Sequence, residues 1–319
     1  MPAQAPPYSG KQIHIVVGSG AGGGVDVYAR VLAQHLVDHL AGHPQIVVEN
    51  MPGAIGITAL NWLGSSAPKD GTAMVASSNV AIAAPLFGNK AARYDLRSMI
   101  AIGNIARQQS VCATWSTSQT KTLDDAKKRE TLMAADAVAS RSAVIPQLFN
   151  ELIGTKFKVV TGYSTTDMGV AIERGEVDGA CLSWPTLKAS HPDWIVNHRL
   201  NVLIQTGDRP HPDLPDVPLL TSLVSDPQTK QMLKLLEFPD ELGRPYLMPQ
   251  GAPADMVKAM RTAFDETMHD QAFLSDAQKA LLDVDPISAE DMATIIDNAY
   301  STPKDIVARA LPYSGSPTQ

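Results

Sequence analysis

The sequence lacks the features that would place it among membrane proteins or metalloproteins. No run approaches the ~18 consecutive apolar residues that a membrane-spanning helix needs, so a membrane-embedded chain is not expected. The cysteine and histidine spacings typical of metal sites, such as CxxC and HExxH, are also missing. We therefore predict no metal site.

The chain is also short of positive charge. It has 26 lysine and arginine residues against 33 aspartate and glutamate residues, which gives a net charge of −7. This balance argues against nucleic acid and against an anionic membrane surface as partners. If the ligand is an anion, its site must be local, made of backbone N–H groups and a few side chains, because the overall field does not attract it.

Cysteine is nearly absent. Cys112 and Cys181 are far apart in the sequence, and each lies in an apolar segment that resembles a strand. We interpret them as a buried reduced pair, while a single disulfide in an oxidising compartment stays open as the alternative. The length of 319 residues favours two α/β domains over one.

A glycine-rich loop follows the first predicted strand. The apolar run Ile13–Val17 predicts this strand, five of the next seven residues are glycine, and a helical pattern begins near Val25. Such a loop presents backbone N–H groups at the positive end of a helix dipole, so it predicts an anion site.

The strand, loop and helix order recurs along the chain. Apolar runs predict further strands at 45–50, 72–76, 100–106, 111–115, 132–135, 157–160, 177–183 and 201–206. The first three strands have the βαβαβ rhythm of a parallel sheet, whose ligands bind at the carboxyl ends of the strands. The pattern of the second half repeats that of the first, so we expect two α/β lobes that close on a ligand in the cleft between them.

The first loop also fits a dinucleotide-binding motif, G-x-G-x-x-G from Gly18 to Gly23. An NAD(P)-dependent Rossmann-type enzyme is therefore an alternative function. Asp26 argues against it, because a carboxylate at the start of this helix would repel a diphosphate, whereas it suits the helix dipole. Walker A and G-x-S-x-G motifs are absent, so the sequence favours a binding protein over an enzyme.

Polar and aromatic side chains on the other loops have two interpretations. Hydroxyls at loop positions could bind a carboxylate or cap a helix; they belong to Ser78, Ser140, Ser142, Ser164 and Thr165. Trp184 could stack on a planar ligand or pack in the core, and Arg141 could pair with a ligand carboxylate or lie in solvent.

Several motifs, in order along nearly the whole chain, resemble those of the substrate-binding proteins of tripartite tricarboxylate transporters, the Bug or TctC-type family. The matching segments are Val16–Arg30, Val48–Ala54 (Val-Glu-Asn-Met-Pro-Gly-Ala), Ala67–Thr72, Gly175–Asp178, Leu214–Pro218 and Gln250–Pro253. The resemblance implies a two-lobed periplasmic-binding-protein fold (type II, Venus-flytrap). It also implies a periplasmic receptor without a cofactor or catalysis, which delivers a small mono- or dicarboxylate to a membrane transporter.

The resemblance also implies where the ligand is held. Lobe 1 would comprise residues 1–106 and 220–319, and lobe 2, residues 107–219, would set specificity. The first-lobe contacts are expected at Ser19, Gly20, Ala21, Gly22, Gly23, Asp26, Gly53, Ala54, Ile55, Gly56, Ser78 and Asn79. Those of the second lobe are expected at Ser140, Arg141, Ser142, Tyr163, Ser164, Thr165, Ser183 and Trp184.

Two departures from the family pattern leave the identity of the acid open. Gly18-Ser19 replaces a Pro-Phe pair, and the loops at 136–142 and 162–165 differ from the usual ones of the second lobe. The Pro-rich start, residues 2–8, resembles the first residues after a cleaved signal peptide. We expect a monomer, and a partner of a sensor kinase is a further alternative to a transport receptor.

Overall fold

A computed structural model describes residues 6–138 and 140–314, and for Thr165 and Thr166 it describes the backbone only. The chain divides into two compact units. Unit 1 consists of Met1–Arg107 and Leu242–Ser301, and unit 2 consists of Gln108–Glu241 and Thr302–Gln319. Each unit has its own five-stranded sheet, which confirms the α/β class. No helix within the described ranges is long and apolar enough to cross a membrane.

Strands and helices alternate over most of the chain. The strands are β1 (Gln12–Val17), β2 (Gln45–Asn50), β3 (Ala73–Ala76), β4 (Ile100–Asn104), β5 (Ser110–Trp115), β6 (Thr131–Ala135), β7 (Phe157–Thr161), β8 (Gly179–Ser183), β9 (Leu200–Gln205) and β10 (Pro245–Met248). The helices are α1 (Gly24–His39), α2 (Ile57–Ser65), α3 (Asn79–Ala83), α4 (Leu123–Lys128), α5 (Arg141–Ile153), α6 (Thr165–Glu173), α7 (Trp184–Ser190), α8 (Pro192–Val196), α9 (Leu220–Leu223), α10 (Pro227–Glu241), α11 (Ala254–His269), α12 (Gln271–Lys279), α13 (Ala289–Tyr300) and α14 (Lys304–Ala310). The nine predicted strands are confirmed, and β10 is an additional strand that the sequence analysis did not predict.

The sheet of unit 1 has the strand order β2-β1-β3-β10-β4. Strands β1, β2 and β3 are parallel, as predicted, and Val17 lies opposite both Asn50 and Ala76 at their carboxyl ends. Strand β1 buries its apolar residues, of which Ile13, Ile15 and Val17 pack in a core that includes Leu32 of α1 and Met260 of α11.

The parallel arrangement predicted for the first three strands does not extend to the rest of this sheet. Strand β10 runs antiparallel to both β3 and β4. The chain returns from unit 2 at the edge where β3 and β4 end, and it therefore crosses the sheet in the opposite direction. Ser77 N–H, just after β3, donates to the carbonyl of Pro245 at 3.0 Å, so β10 begins beside the loop that follows β3.

The sheet of unit 2 has the order β7-β6-β8-β5-β9. Strand β6 is parallel to β7 and β8, so the loops after these three strands start at one edge of the sheet. Strand β5 is antiparallel to β8 and β9. Helices α5 and α6 begin at this shared edge, after the loops that follow β6 and β7.

The two cysteines form a disulfide, which corrects the interpretation as a reduced pair. Cys112 on β5 lies directly opposite Cys181 on β8 in the antiparallel ladder, with their Cα atoms 4.0 Å apart. Both side chains are buried in unit 2. The sequence placed each cysteine on a strand, but the strand pairing that brings them together is not visible in local patterns.

The second unit extends beyond the expected boundary at residue 220. Helix α10 buries Met232, Leu233 and Leu236, and the Glu237 carboxylate accepts a hydrogen bond from Gly207 N–H at 3.0 Å. Burial raises the pKa of Glu237 to about 8. Helix α14 contacts α10 in the same unit, where Arg309 Nη1 donates to Gln228 Oε1 at 3.1 Å. Residues 220–241 and 302–314 therefore belong to unit 2.

Candidate functional site

Three loops meet at the carboxyl edge of the unit 1 sheet. They follow β1, β2 and β3 and lead to α1, α2 and α3. A Cβ atom on Gly18 would lie 3.0 Å from the Gly56 Cα, and one on Gly56 would lie 3.1 Å from Ser78 Oγ. Both distances are shorter than ordinary van der Waals contacts, so a side chain at either position would require the neighbouring loop to shift, and the φ of 99° at Gly56 also favours glycine.

The first loop is held in shape by Asp26. This buried carboxylate, 2% exposed, accepts hydrogen bonds from Gly22 N–H at 2.8 Å, from Arg30 Nε at 2.9 Å and from Asn50 Nδ2 at 2.8 Å. Asn50 also donates to the carbonyl of Ser19 at 3.0 Å. The parallel register places Asn50 beside the end of β1, so the second loop supports the first.

Asp26 is ionised and fully engaged within the protein. The hydrogen bond from Arg30 is the largest cause of a pKa lowered to about 2; burial opposes it, and the hydrogen bonds from Gly22 and Asn50 lower the pKa further. A carboxylate in the first turn of α1 also interacts favourably with the helix dipole. The expectation that Asp26 contacts the ligand directly is therefore corrected. Its side chain instead holds the loop in shape through hydrogen bonds within the protein.

Three N–H groups of the first loop are available to a ligand. Among the residues that the structure describes, Ser19, Gly20 and Ala21 donate no backbone hydrogen bond. All three are exposed or half-buried, and they precede Gly23, the residue that caps α1. Unengaged donors next to the positive end of a 16-residue helix suit an anion.

The second loop has an unusual backbone. Four consecutive residues have positive φ, with values of 147° at Gly53, 46° at Ala54, 57° at Ile55 and 99° at Gly56. Left-handed backbone is rare for alanine and rarer for a β-branched residue, so the loop carries strain. The side chain of Ile55 is 71% exposed, so core packing does not hold it in this conformation. Strained backbone of this kind clusters at binding sites.

The third loop joins the second through Ser78. Its hydroxyl donates to the carbonyl of Ile55 at 2.7 Å and accepts from Ala81 N–H at 3.2 Å, so Ser78 caps α3 and holds the strained loop together. Asn79 is the first residue of α3, next to this cap.

Arg244 lies at the same edge, although nothing in the sequence pattern indicated it. It precedes β10, and its guanidinium carbon lies 5.0 Å from the centre of the Tyr28 ring on α1. Burial lowers the pKa of Arg244, whereas the neighbouring Tyr28 and Tyr246 favour the charged form. The position of Arg244 could not be predicted from the sequence, because it follows from the antiparallel direction of β10.

The loop after β6 in unit 2 is organised by a carboxylate. Ser142 donates to Asp136, and the hydroxyls of Ser140 and Ser142 lie 2.9 Å apart. Ser140 also donates to the carbonyl of Ala137 at 2.7 Å. These hydroxyl bonds hold the pKa of Asp136 below its usual value against the opposing effect of partial burial. Both serine hydroxyls thus support the start of α5.

Other polar candidates of unit 2 have partners within the protein. Arg141 forms an ion pair with Asp240 at the end of α10. Ser164 caps α6 in a reciprocal capping box with Asp167, in which the Ser164 hydroxyl donates to the carboxylate at 2.6 Å. The loop of Tyr163 joins the loop after β6, because Tyr163 N–H donates to the carbonyl of Ala135 at 3.2 Å.

A family model now gives these two units a relationship to known proteins. The model described as the tripartite tricarboxylate transporter family receptor matches residues 28–310. The chain belongs to this family. The match begins at Tyr28, so the glycine-rich loop lies just before the matched residues.

Individual family members and their structures agree with this assignment. A UPF0065 protein of Bordetella bronchiseptica is 25% identical over 282 residues, which cover 86% of this chain and 78% of that protein. A TctC solute-binding protein from Polaromonas, solved without ligand, matches with a TM-score of 0.73 at 16% identity, covering 95% of this chain and 99% of that one. MatC from Rhodopseudomonas palustris, solved with bound malate, matches with a TM-score of 0.60 at 18% identity over 96% and 100% of the two chains.

The structural likenesses establish the fold of this receptor-family member. It has the two-lobed fold of periplasmic binding proteins, as the resemblance implied. The family and these neighbours are solute-binding receptors. The alternatives, an NAD(P)-dependent enzyme and a partner of a sensor kinase, receive no support from them.

The residues expected to contact the ligand in unit 1 lie together. Those expected in unit 2 include both accessible and buried side chains. Trp184 is 3% exposed in the core beside Val111 and Leu187, and its Nε1 donates to Asp213 at 2.9 Å. Stacking on a ligand is therefore corrected in favour of core packing. Ser183, just before it, has a buried hydroxyl without a partner among the described residues. The side chain of Thr165 lies outside the described part of the chain.

Proposed function

We propose that this protein is a receptor that binds a small carboxylate and delivers it to a membrane transporter of the tripartite tricarboxylate type. The observation that carries the proposal is the convergence of Gly18, Gly56 and Ser78, where three loops meet at the carboxyl edge of one sheet. This edge is where α/β proteins bind their ligands. Family membership supports the transporter as the partner.

We propose that backbone N–H groups of the first two loops hold the carboxylate. The donors are those of Ser19, Gly20 and Ala21, with Gly53, Ala54 and Ile55 in the strained second loop, which Gly56 closes by donating its N–H to the carbonyl of Gly53 at 2.9 Å. Gly22 and Gly23 shape the turn into α1, and Ser78 and Asn79 border the site. Fixed backbone donors cost little reorganisation, and the dipoles of α1 and α2 favour negative charge beside them.

The ligand is a mono- or dicarboxylate, aliphatic or aromatic. Malate bound to MatC is an example of this class within the same fold. We propose that the loops of unit 2 select among acids through Ser140, Ser142, Tyr163 and Ser183. The Ser183 hydroxyl is suited to this role because its buried oxygen has no partner among the described residues.

We propose a periplasmic location, a monomeric state and no catalytic activity. The Cys112–Cys181 disulfide supports an oxidising compartment, because thiols stay reduced in the cytosol. The receptor family supports the same location. The described residues contain no cluster of groups suited to a metal ion.

A thermal-shift screen tests this function. We expect at least one acid among succinate, L-malate, adipate and benzoate to raise the melting temperature. At 100 times its Kd a ligand adds about 2.7 kcal/mol to the free energy of unfolding. Succinamide is the matched control, since it keeps the carbon skeleton of succinate and lacks its charge. A shift with NAD but with none of the acids would contradict the proposal.

A further inference from the structure

Ile55 has the most unusual backbone conformation of the second loop. Among the residues that the structure describes, it is the only β-branched one with a positive φ. Its φ of 57° and ψ of 34° lie in the left-handed helical region, where the Cβ atom crowds the following carbonyl oxygen. A glycine or an asparagine would adopt this backbone with less strain. The choice of isoleucine therefore needs a reason other than the shape of the loop.

The Ile55 side chain contributes little to the packing of the protein. It is 71% exposed, whereas the backbone around it is fixed by hydrogen bonds. Gly56 N–H donates to the carbonyl of Gly53 at 2.9 Å, and the carbonyl of Ile55 accepts from the Ser78 hydroxyl at 2.7 Å. Any residue at position 55 provides the same carbonyl. The side chain thus adds strain without burial, and strain of this kind points to a function.

A second exposed apolar side chain belongs to the neighbouring loop and helix. Val80 is 45% exposed and is the second residue of α3, two positions after Ser78. Ser78 joins this segment to Ile55 through the hydrogen bond to its carbonyl. Ligand sites are lined mainly by apolar side chains with a few polar groups that fix orientation. Ile55 and Val80 supply the apolar part beside the N–H donors of the loops.

The position of the Ile55 side chain relative to a bound carboxylate follows from covalent geometry. Ile55 N–H is one of the proposed donors, and it donates no backbone hydrogen bond among the described residues. The amide nitrogen and the Cβ atom are bonded to the same Cα, so an anion on this N–H lies within a few ångströms of the side chain. The ligand atoms next to the carboxylate therefore meet an apolar surface, which favours hydrocarbon over hydroxyl groups.

We propose that Ile55 determines the class of acid that this receptor binds, namely a carboxylate attached to an apolar chain or ring, such as a medium-chain alkanoate or an aromatic acid. Val80 extends the apolar surface. The inference rests on the proposed function and narrows it, because the backbone N–H groups bind the charge that all carboxylates share. The contact with Ile55 then distinguishes an apolar acid from a short hydroxylated one.

Calorimetric titrations with hexanoate, acetate and L-malate test the proposal. Full burial of one methylene group strengthens binding by up to about 4-fold, and hexanoate has four more methylene groups than acetate. We expect the wild type to bind hexanoate at least about 10-fold more tightly than acetate or L-malate. Ile55→Asn should weaken hexanoate binding about 5- to 20-fold and acetate binding less than about 2-fold. Ile55→Leu, which keeps an apolar side chain, should retain most of the affinity for hexanoate.

Leu281→Asn is the matched control. Leu281 is also an apolar residue of unit 1 with left-handed backbone, with a φ of 56° and 58% exposure. It follows the end of α12, where such a conformation is common, and its N–H donates to the carbonyl of Gln278 at 3.0 Å. Neither asparagine variant should lower the melting temperature of the free protein, because asparagine tolerates left-handed backbone. Leu281→Asn should bind hexanoate as the wild type does.

The outcomes separate this inference from the proposed function. Unchanged hexanoate affinity in Ile55→Asn would overturn the inference alone. The same holds for an equal loss of hexanoate and acetate binding in that variant, or for a wild type that binds L-malate more tightly than hexanoate. A wild type that binds neither these acids nor those of the thermal-shift screen would overturn the proposed function and the inference with it.

Discussion

Replacement of Asp26 by alanine is expected to lower the free energy of unfolding by about 3 kcal/mol and to weaken carboxylate binding severely. Removing one member of a buried charged network leaves its partners with unsatisfied groups, which typically costs a few kcal/mol. The groups left without an acceptor are Gly22 N–H and the Asn50 amide, whereas the half-exposed Arg30 can hydrogen-bond to water. The first loop then loses the shape that directs its N–H groups outward.

The pH dependence of stability provides a second readout for Asp26. Its folded pKa of about 2 is below the ordinary value of 3.8, so the carboxylate stabilises the protein above pH ~4. This contribution is lost as the pH falls from about 4 towards 2. Urea unfolding at pH 7 and pH 3 should show that the penalty of Asp26→Ala shrinks at the lower pH.

An exposed ion pair provides the control for Asp26→Ala. Asp95 pairs with Arg97 on the surface of the same unit, and such pairs contribute about 0–1 kcal/mol. Asp95→Ala should therefore cost far less than Asp26→Ala and leave ligand affinity unchanged. Equal costs for the two variants would show that Asp26 does not organise the loop.

Removal of the disulfide is expected to destabilise unit 2 by about 4 kcal/mol. The bond joins residues separated by 69 positions, and closing a loop of this length restricts the unfolded chain by about that amount. The double variant Cys112→Ala, Cys181→Ala should unfold at a markedly lower urea concentration than the wild type. Both side chains are buried, so lost packing adds to the effect.

A reductant separates the stabilisation that comes from the crosslink from the stabilisation that comes from packing of the sulfur atoms. Dithiothreitol should lower the unfolding midpoint of the wild type and leave that of the double variant unchanged. A wild-type midpoint that does not respond to reductant would contradict a role of the crosslink in stability. Ligand affinity should survive in the variant, because both cysteines are buried within the sheet of unit 2 and neither is among the residues proposed to bind the carboxylate.

The strands and the first-unit loops could be predicted because their signals are local. Apolar runs such as Ile13–Val17 carry their period and burial in a few residues. Parallel β1, β2 and β3 followed from the strand and helix rhythm, and parallel strands bring their carboxyl ends to one edge. The meeting of the glycine-rich loop, Gly53–Gly56 and Ser78 is a consequence of that geometry.

The errors arose where distant segments decide the structure. Strand β10 pairs antiparallel with β3, although the two strands are more than 150 residues apart in the sequence. The position of Arg244 depends on this pairing and could not be predicted either. The partners of Asp26 and Arg141 could not be read from spacing either, because Asn50 and Asp240 approach through tertiary structure. Trp184 has the same neighbours in sequence whether it faces a ligand or a core.

The most direct test is to observe the backbone N–H groups during ligand binding. Amide resonances of the ¹⁵N-labelled protein would be followed while the best acid of the panel is added. We predict the largest shifts at Ser19–Gly24, Gly53–Ile57 and Ser78–Ala81, with smaller ones for the succinamide control. Shifts confined to other parts of the chain, or equal shifts for acid and amide, would contradict a carboxylate site formed by these loops.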